Sequence, residues 1–133
     1  MLAGFVPWPD QDIARWKAAG YRPGHRVADI VEACAARVPD KVAVIEGERR
    51  LSYAALVDQV NRLAAALLRM GLKPQDRVVM QLPNSIEFVV TFLALTRMGA
   101  VPVMALRAHR HSEIRHFVEA AGAVAYLCLL YTS

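Results

Sequence analysis

The chain has 133 residues, 16 Lys and Arg against 12 Asp and Glu, and a net charge of +4; 56% of its residues are hydrophobic and 21% charged. That composition excludes a disordered or collagen-like chain and fits one globular domain. The cations are scattered, with no run longer than Arg49-Arg50, so they read as solvated surface and not as the concentrated basic face of a nucleic-acid binder.

The first residues lack a basic start and are broken by Pro7, Pro9 and Asp10, which does not describe a signal peptide. No apolar run approaches the ~20 residues that cross a bilayer. Cys34 and Cys128 sit in no CxxC and have no His at zinc-finger spacing. Together these features predict a reduced, cytoplasmic protein with no nucleic-acid or membrane partner.

Residues 10–20 read as a short helix stopped by Gly20, with Ile13 and Trp16 on one side. A linker around Pro23-Gly24 follows. A second helix spans residues 27–37, with Val27, Ile30, Val31 and Cys34 as its apolar stripe. Residues 41–46 then change to a β-branched strand, Gly47 turns, and residues 49–52 pair back as a hairpin. Ser52 caps the strongest helix, whose Tyr53, Leu56, Val60, Leu63, Leu67 and Met70 step by three and four along one face. Gly71 closes it and Pro74 prevents continuation.

From Arg77 the chain alternates. Residues 77–82 form an apolar run that suits a parallel strand covered on both faces. Asn84 and Glu87 have the spacing of a capping box for a helix reaching Met98, with Phe88, Phe92 and Leu95 as its buried face. Residues 100–106 are a strand, residues 110–121 a helix, and residue 123 opens a further strand. Its Val124, Tyr126, Leu127, Leu129 and Leu130 are expected to lie poorly covered. The β-α-β-α-β order predicts an α/β fold with an open, mainly parallel sheet, flanking helices and one hairpin.

In such sheets ligands bind beyond the carboxyl ends of the strands, which points to Pro83, Asn84 and Ser85 and to residues 107–111. Neither loop contains the glycines that let backbone N–H groups cradle phosphate. There is no GxGxxG, GxxxxGK[ST] or GxSxG. His109, His111, His116 and Glu113 cluster in sequence, but His111 and His116 are five apart and fall on different helix faces, which favours a polar helix start over a metal site. His25 stands alone. Ser52 is explained as a cap rather than a nucleophile. Asp58 and Glu87 have no carboxylate partner at useful spacing, and Trp8 with Trp16 reads as an arm tied to the core. Catalytic, cofactor and metal residues are therefore expected to be none within this chain.

Several blocks carry a resemblance. Leu51-Ser52-Tyr53-Ala54-Ala55-Leu56 resembles the first core motif of acyl-adenylate-forming enzymes, and residues 92–103, with Met98-Gly99-Ala100, resemble the second. Residues 40–49 and 71–78 also fit that superfamily. The arm Phe5-Val6-Pro7-Trp8-Pro9 and residues 101–113, with His109-Arg110-His111, are similar to stand-alone aryl-acid adenylating enzymes of the 2,3-dihydroxybenzoate–AMP ligase kind, with the salicylate–AMP ligases next. The resemblance covers residues 5–127. It implies a siderophore-pathway ligase in which an aryl carboxylate attacks ATP with Mg²⁺ present, pyrophosphate leaves, and the aryl group passes to the phosphopantetheine thiol of a carrier protein. The family's phosphate loop, aryl-acid pocket, ribose-binding Asp and C-terminal Lys match no position here. The chain is accordingly expected to be an inactive N-terminal fragment: residues 1–26 an arm and helix, 27–127 part of an AMP-binding domain, 128–133 a truncated or artefactual end. The alternative from another class is a non-catalytic α/β binding or interaction module on the same scaffold.

Overall fold

The computed structural model describes residues 6–21 and 24–129. Phe5 of the predicted arm, Pro23 of the predicted linker and residues 130–133 lie outside the described residues. The elements run in chain order as α1 (Asp10–Ala18), α2 (Val27–Arg37), β1 (Val42–Glu46), β2 (Arg49–Ser52), α3 (Tyr53–Arg69), β3 (Arg77–Gln81), α4 (Ile86–Arg97), β4 (Val101–Met104), α5 (His111–Ala121) and β5 (Ala125–Cys128). Strands β1 and β2 form an antiparallel hairpin with a register shift between Val42 and Val44. Gly47, at φ +55°, takes the first position of its two-residue turn, where hairpin turns require a left-handed residue.

The second sheet is parallel throughout, in the order β4-β3-β5. The chain steps from β3 to one side through α4, then crosses back over β3 through α5. Strand β3 is therefore central, and its Val78, Val79 and Met80 are fully buried. Side chains alternate across a strand. Val78 and Met80, with Ala125 and Leu127 of β5, join the core under α3 and α4. Val79 takes the other face, where α5 packs on β3.

Helix α4 is the centre of the molecule. It contacts α2, α3, β1 and β4. The expected face of Phe88, Phe92 and Leu95 is therefore too narrow. Ile86, Val90, Thr91, Leu93, Ala94 and Leu95 are the buried positions, while Phe88 and Phe92 are only partly covered. The expected cap is displaced by one residue: Ser85, not Asn84, is the N-cap, its Oγ accepting from the Phe88 N–H at 3.3 Å. Glu87 is drawn instead to Arg49.

Two other stripes differ from expectation. On α2, Val27 and Ile30 are 49% and 56% exposed and Ala28 is buried. The small Ala28 lets α2 approach α3 and α4, where Glu32 pairs with Arg97 of α4, and Val27 and Ile30 are left facing outward. On α3, Leu56, Val60, Ala64 and Leu67 are buried, Leu63 is half-buried and Met70 is 79% exposed. Met70 is the C-cap, beyond the last turn that faces α4. The α3 end forms a Schellman motif, with the Leu72 N–H donating to the Leu67 carbonyl at 3.2 Å and Gly71 to Leu68 at 3.0 Å. Trp8 does not tie the arm to the core. It stands edge-on to Trp16 of α1 at 5.3 Å, and α1 has no buried residue.

Candidate functional site

The helices following β3 and β4 leave on opposite faces of the sheet, which opens a crevice between the carboxyl ends of these two strands. A cleft of about 640 Å³ lies there, lined by Pro83, Asn84 and Phe88 on one side and by Met104, Leu106 and Arg107 on the other. A second, of about 270 Å³, adjoins it over β5, between Gln81, Pro83, Arg107, Tyr126 and Cys128. Pro83 and Arg107 line both. Both loops singled out in the sequence thus meet at one end of the sheet.

One side chain organises this end. Gln81 is the last residue of β3. Its Nε2 donates to the carbonyl oxygens of Leu106 at 2.7 Å and His109 at 2.9 Å, with Arg107 O at 3.4 Å. Its Oε1 accepts from the Tyr126 hydroxyl at 2.5 Å. Tyr126 pairs in register with Val79, so Tyr126 and Gln81 share the α5 face of the sheet. Burial, with the Cys128 thiol beside it, pushes the Tyr126 hydroxyl above its ordinary value. His109 folds back on its own loop, Nδ1 accepting from the Leu106 N–H at 3.0 Å, and its ring meets Phe117 of α5 edge-on at 5.0 Å.

A third cleft, of about 500 Å³, lies between the hairpin and the start of α4, along Val44, Glu46, Asn84, Ser85 and Phe88. An ionic clasp borders it at Glu46. Glu46 of β1 accepts from the Ile86 N–H at 3.0 Å, satisfying one of the donors that a helix start leaves open. Arg49 bridges Glu46 at 3.1 Å and Glu87 at 2.5 Å. The hydrogen bond from Arg49 holds the Glu87 carboxyl well below its ordinary value, at about 2.

The remaining candidates have local partners. Ser52 Oγ accepts from the Ala55 N–H at 3.3 Å. Asp58 pairs with Arg62 at 2.5 Å along α3. Glu113 accepts from the Arg110 N–H at 3.0 Å and from the Ser112 hydroxyl at 2.9 Å. Its own backbone N–H, then that hydroxyl, then the Arg110 N–H lower its pKa. The His116 ring lies tilted beside that of Phe117, with centroids 6.1 Å apart. Among the described residues, no three His, Cys, Asp or Glu side chains group to hold a metal ion, and no helix is long and apolar enough to cross a membrane. Sequence reasoning missed Gln81, Tyr126 and Glu46. The available signal was a lone carboxamide ending an otherwise apolar central strand.

A parallel sheet with its clefts at the carboxyl ends, fronted by a hairpin clasped to the central helix, defines an α/β ligand-binding scaffold. The chain belongs to the AMP-binding enzyme family, whose model matches residues 31–132. It is similar to triostin synthetase I of Streptomyces triostinicus, with 46% identity over 95% of this chain and 24% of that protein. It is similar to the 2,3-dihydroxybenzoate-AMP ligase of Bacillus subtilis, with 42% identity over 96% of this chain and 24% of the ligase. The salicyl-AMP ligase / salicyl-S-ArCP synthetase of Mycobacterium tuberculosis is 43% identical over 92% of this chain and 22% of its own length. Among solved structures, apo MbtA of Mycobacterium smegmatis superposes with a TM-score of 0.90 and 42% identity, over 93% of this chain and 24% of that one. The chain thus spans about a quarter of the length of the relatives it matches.

Proposed function

We propose that these residues are part of an ATP-dependent ligase that adenylates 2,3-dihydroxybenzoate or salicylate in siderophore biosynthesis, acting in the cytoplasm and handing the aryl group to a phosphopantetheine carrier protein. The observation that carries this reading is the likeness to two aryl-acid AMP ligases along more than nine-tenths of the chain. The share of those ligases that it spans assigns it a part of the work only.

The described residues do not fit ATP phosphates or Mg²⁺. The loops at residues 83–85 and 107–111 contain no glycine, and no metal-holding group forms among the described residues. Their own role is to build the β4-β3-β5 scaffold and one wall of the crevice. Residues 27–127 are the adenylation-domain part of that scaffold, and residues 1–26 an arm and helix outside it.

The test is a chimera in which residues 1–133 replace the matching segment of the Bacillus subtilis ligase. The expected result is aryl-acid-dependent ATP–pyrophosphate exchange within about tenfold of the parent ligase, a barrier change of ~1.4 kcal/mol. A folded chimera without exchange overturns the proposal. The 133-residue chain alone is expected to show no exchange above blank.

A further inference from the structure

We propose that the outer edge of β5 is a self-pairing surface: two copies of the chain join antiparallel along residues 125–129, about a two-fold axis at Leu127, so that two three-stranded sheets become one. The inference goes beyond the ligase reading above and does not depend on it.

The argument starts from the direction of the backbone groups, which alternate sides along a strand. On β4 the Val101 N–H donates to the Asp76 carbonyl at 2.8 Å, and the Ala105 N–H to the Met80 carbonyl at 2.9 Å. Residues 101, 103 and 105 thus face β3, and Pro102 and Met104 face outward. Pro102 has no N–H, so the outer row of β4 lacks a donor in its middle. On β5 the Val124 N–H donates to the Arg77 carbonyl at 2.9 Å. Tyr126 and Cys128 follow it toward β3. Ala125, Leu127 and Leu129 therefore point their N–H and C=O groups away from the sheet. Val78 pairs with Pro102 on one side and with Ala125 on the other, so the same level of the sheet is guarded on β4 and open on β5.

Residues 123–129 hold no charge, proline or glycine, and charge and proline are what commonly keep an edge from pairing. An identical strand is the complement of this outer row. With Leu127 opposite the partner's Leu127, and Ala125 opposite the partner's Leu129, the outward residues exchange about six hydrogen bonds. No like charges meet, and Tyr126 falls opposite the partner's Cys128 in a pair without backbone hydrogen bonds. Head-to-tail addition of β5 to the β4 of another copy would need the donor that Pro102 lacks. The contact therefore closes as a two-fold dimer and does not run on as a fibre. One strand pair is a small interface, so the dimer is weak and exchanges with monomer.

The test is analytical ultracentrifugation with amide hydrogen exchange on the 133-residue chain over a concentration series. A monomer–dimer equilibrium is expected, in which the Ala125 and Leu127 amides slow by about tenfold while that of Tyr126, which faces β3, changes by less than about twofold. Leu129→Pro removes an outward donor and leaves the ladder to β3 intact; it is expected to weaken the dimer by about tenfold. Tyr126→Cys places a thiol opposite the partner's Cys128. With diamide as oxidant, taking two protons and two electrons from each thiol pair, a disulfide-linked dimer is expected, and it is lost when Cys128→Ser is added. A monomer at every concentration overturns the proposal, as does a folded Tyr126→Cys protein that forms no such dimer. A dimer whose Ala125 and Leu127 amides exchange as fast as in the monomer puts the contact on another face and also overturns it. Protection of those amides that requires the remaining part of the Bacillus subtilis ligase, and not concentration, gives the edge to that part and contradicts self-pairing.

Discussion

Glu87 is the side chain whose ionisation the fold has changed most plainly. Its carboxyl is held near 2 by the Arg49 hydrogen bond, against an ordinary value of 4.5. A carboxyl with a lowered folded-state pKa stabilises the protein above its unfolded value, and that contribution disappears as pH falls through the folded value. The window for Glu87 therefore runs from pH 4.5 down to about 2. The side chain is 40% exposed, so solvent screening limits the contribution to about 1 kcal/mol. Glu87→Gln is expected to remove that amount at neutral pH and to flatten the acid limb. Thermal melts across pH 2–7 measure it; parallel curves for the two proteins would show that the clasp is electrostatically silent. Arg49 and Glu87 are 38 residues apart, and no spacing rule joins a hairpin turn to a helix start. A capping box at Asn84 was therefore the natural but mistaken reading of Glu87.

The helices are where local patterning is most informative, and where its resolution ends. Caps and stops at Ser52, Gly71, Gly99 and Gly122 follow from chemistry within one turn. Which side of an apolar stripe is buried depends on the neighbour, as α2 shows by burying Ala28 and exposing Ile30. On α3, Leu67 is 3% exposed, so Leu67→Ala is expected to cost about 2–5 kcal/mol through lost transfer energy and a cavity. Half-buried Leu63→Ala should cost less, and Arg62→Ala should stay within about 0.5 kcal/mol. Denaturant unfolding orders the three; equal losses at Leu67 and Arg62 would mean the packed face is misassigned. At the end of α4, Gly99 sits at φ +82° and an added Cβ would lie 3.3 Å from Pro74 Cβ. Gly99→Ala is expected to lose about 1–2 kcal/mol from the left-handed backbone alone. Gly71, at φ +98° with open space around it, supplies the control for backbone strain without the contact.

For the molecule as a whole, the alternation from Arg77 was enough to give a parallel βαβαβ unit, because crossover sterics leave few choices. The strand order was not written in any local pattern, and neither was the Gln81–Tyr126 junction that depends on it. The same order leaves β4 and β5 as edges. Met104, Leu106, Val124 and Tyr126 are between 42% and 68% exposed there, and Leu130 of the predicted apolar set lies outside the described residues. Exposed apolar edges pair with other chains, so the 133-residue chain is expected to self-associate with rising concentration. Strand β5 also gives Ala125 and Leu127 to the core, so deleting residues 123–133 should worsen association by uncovering β3. Light scattering on both proteins decides this, and a clean monomer from the intact chain would show that its edges need no cover. The central claim is that residues 1–133 form scaffold, and that the choice of aryl acid is made elsewhere in the proposed ligase. It is tested most directly by the ratio of 2,3-dihydroxybenzoate- to salicylate-dependent pyrophosphate exchange in the chimera. The account predicts a ratio within about twofold of the Bacillus subtilis parent, equivalent to less than ~0.5 kcal/mol of altered discrimination; a tenfold change toward salicylate would place substrate selection inside this chain and contradict it.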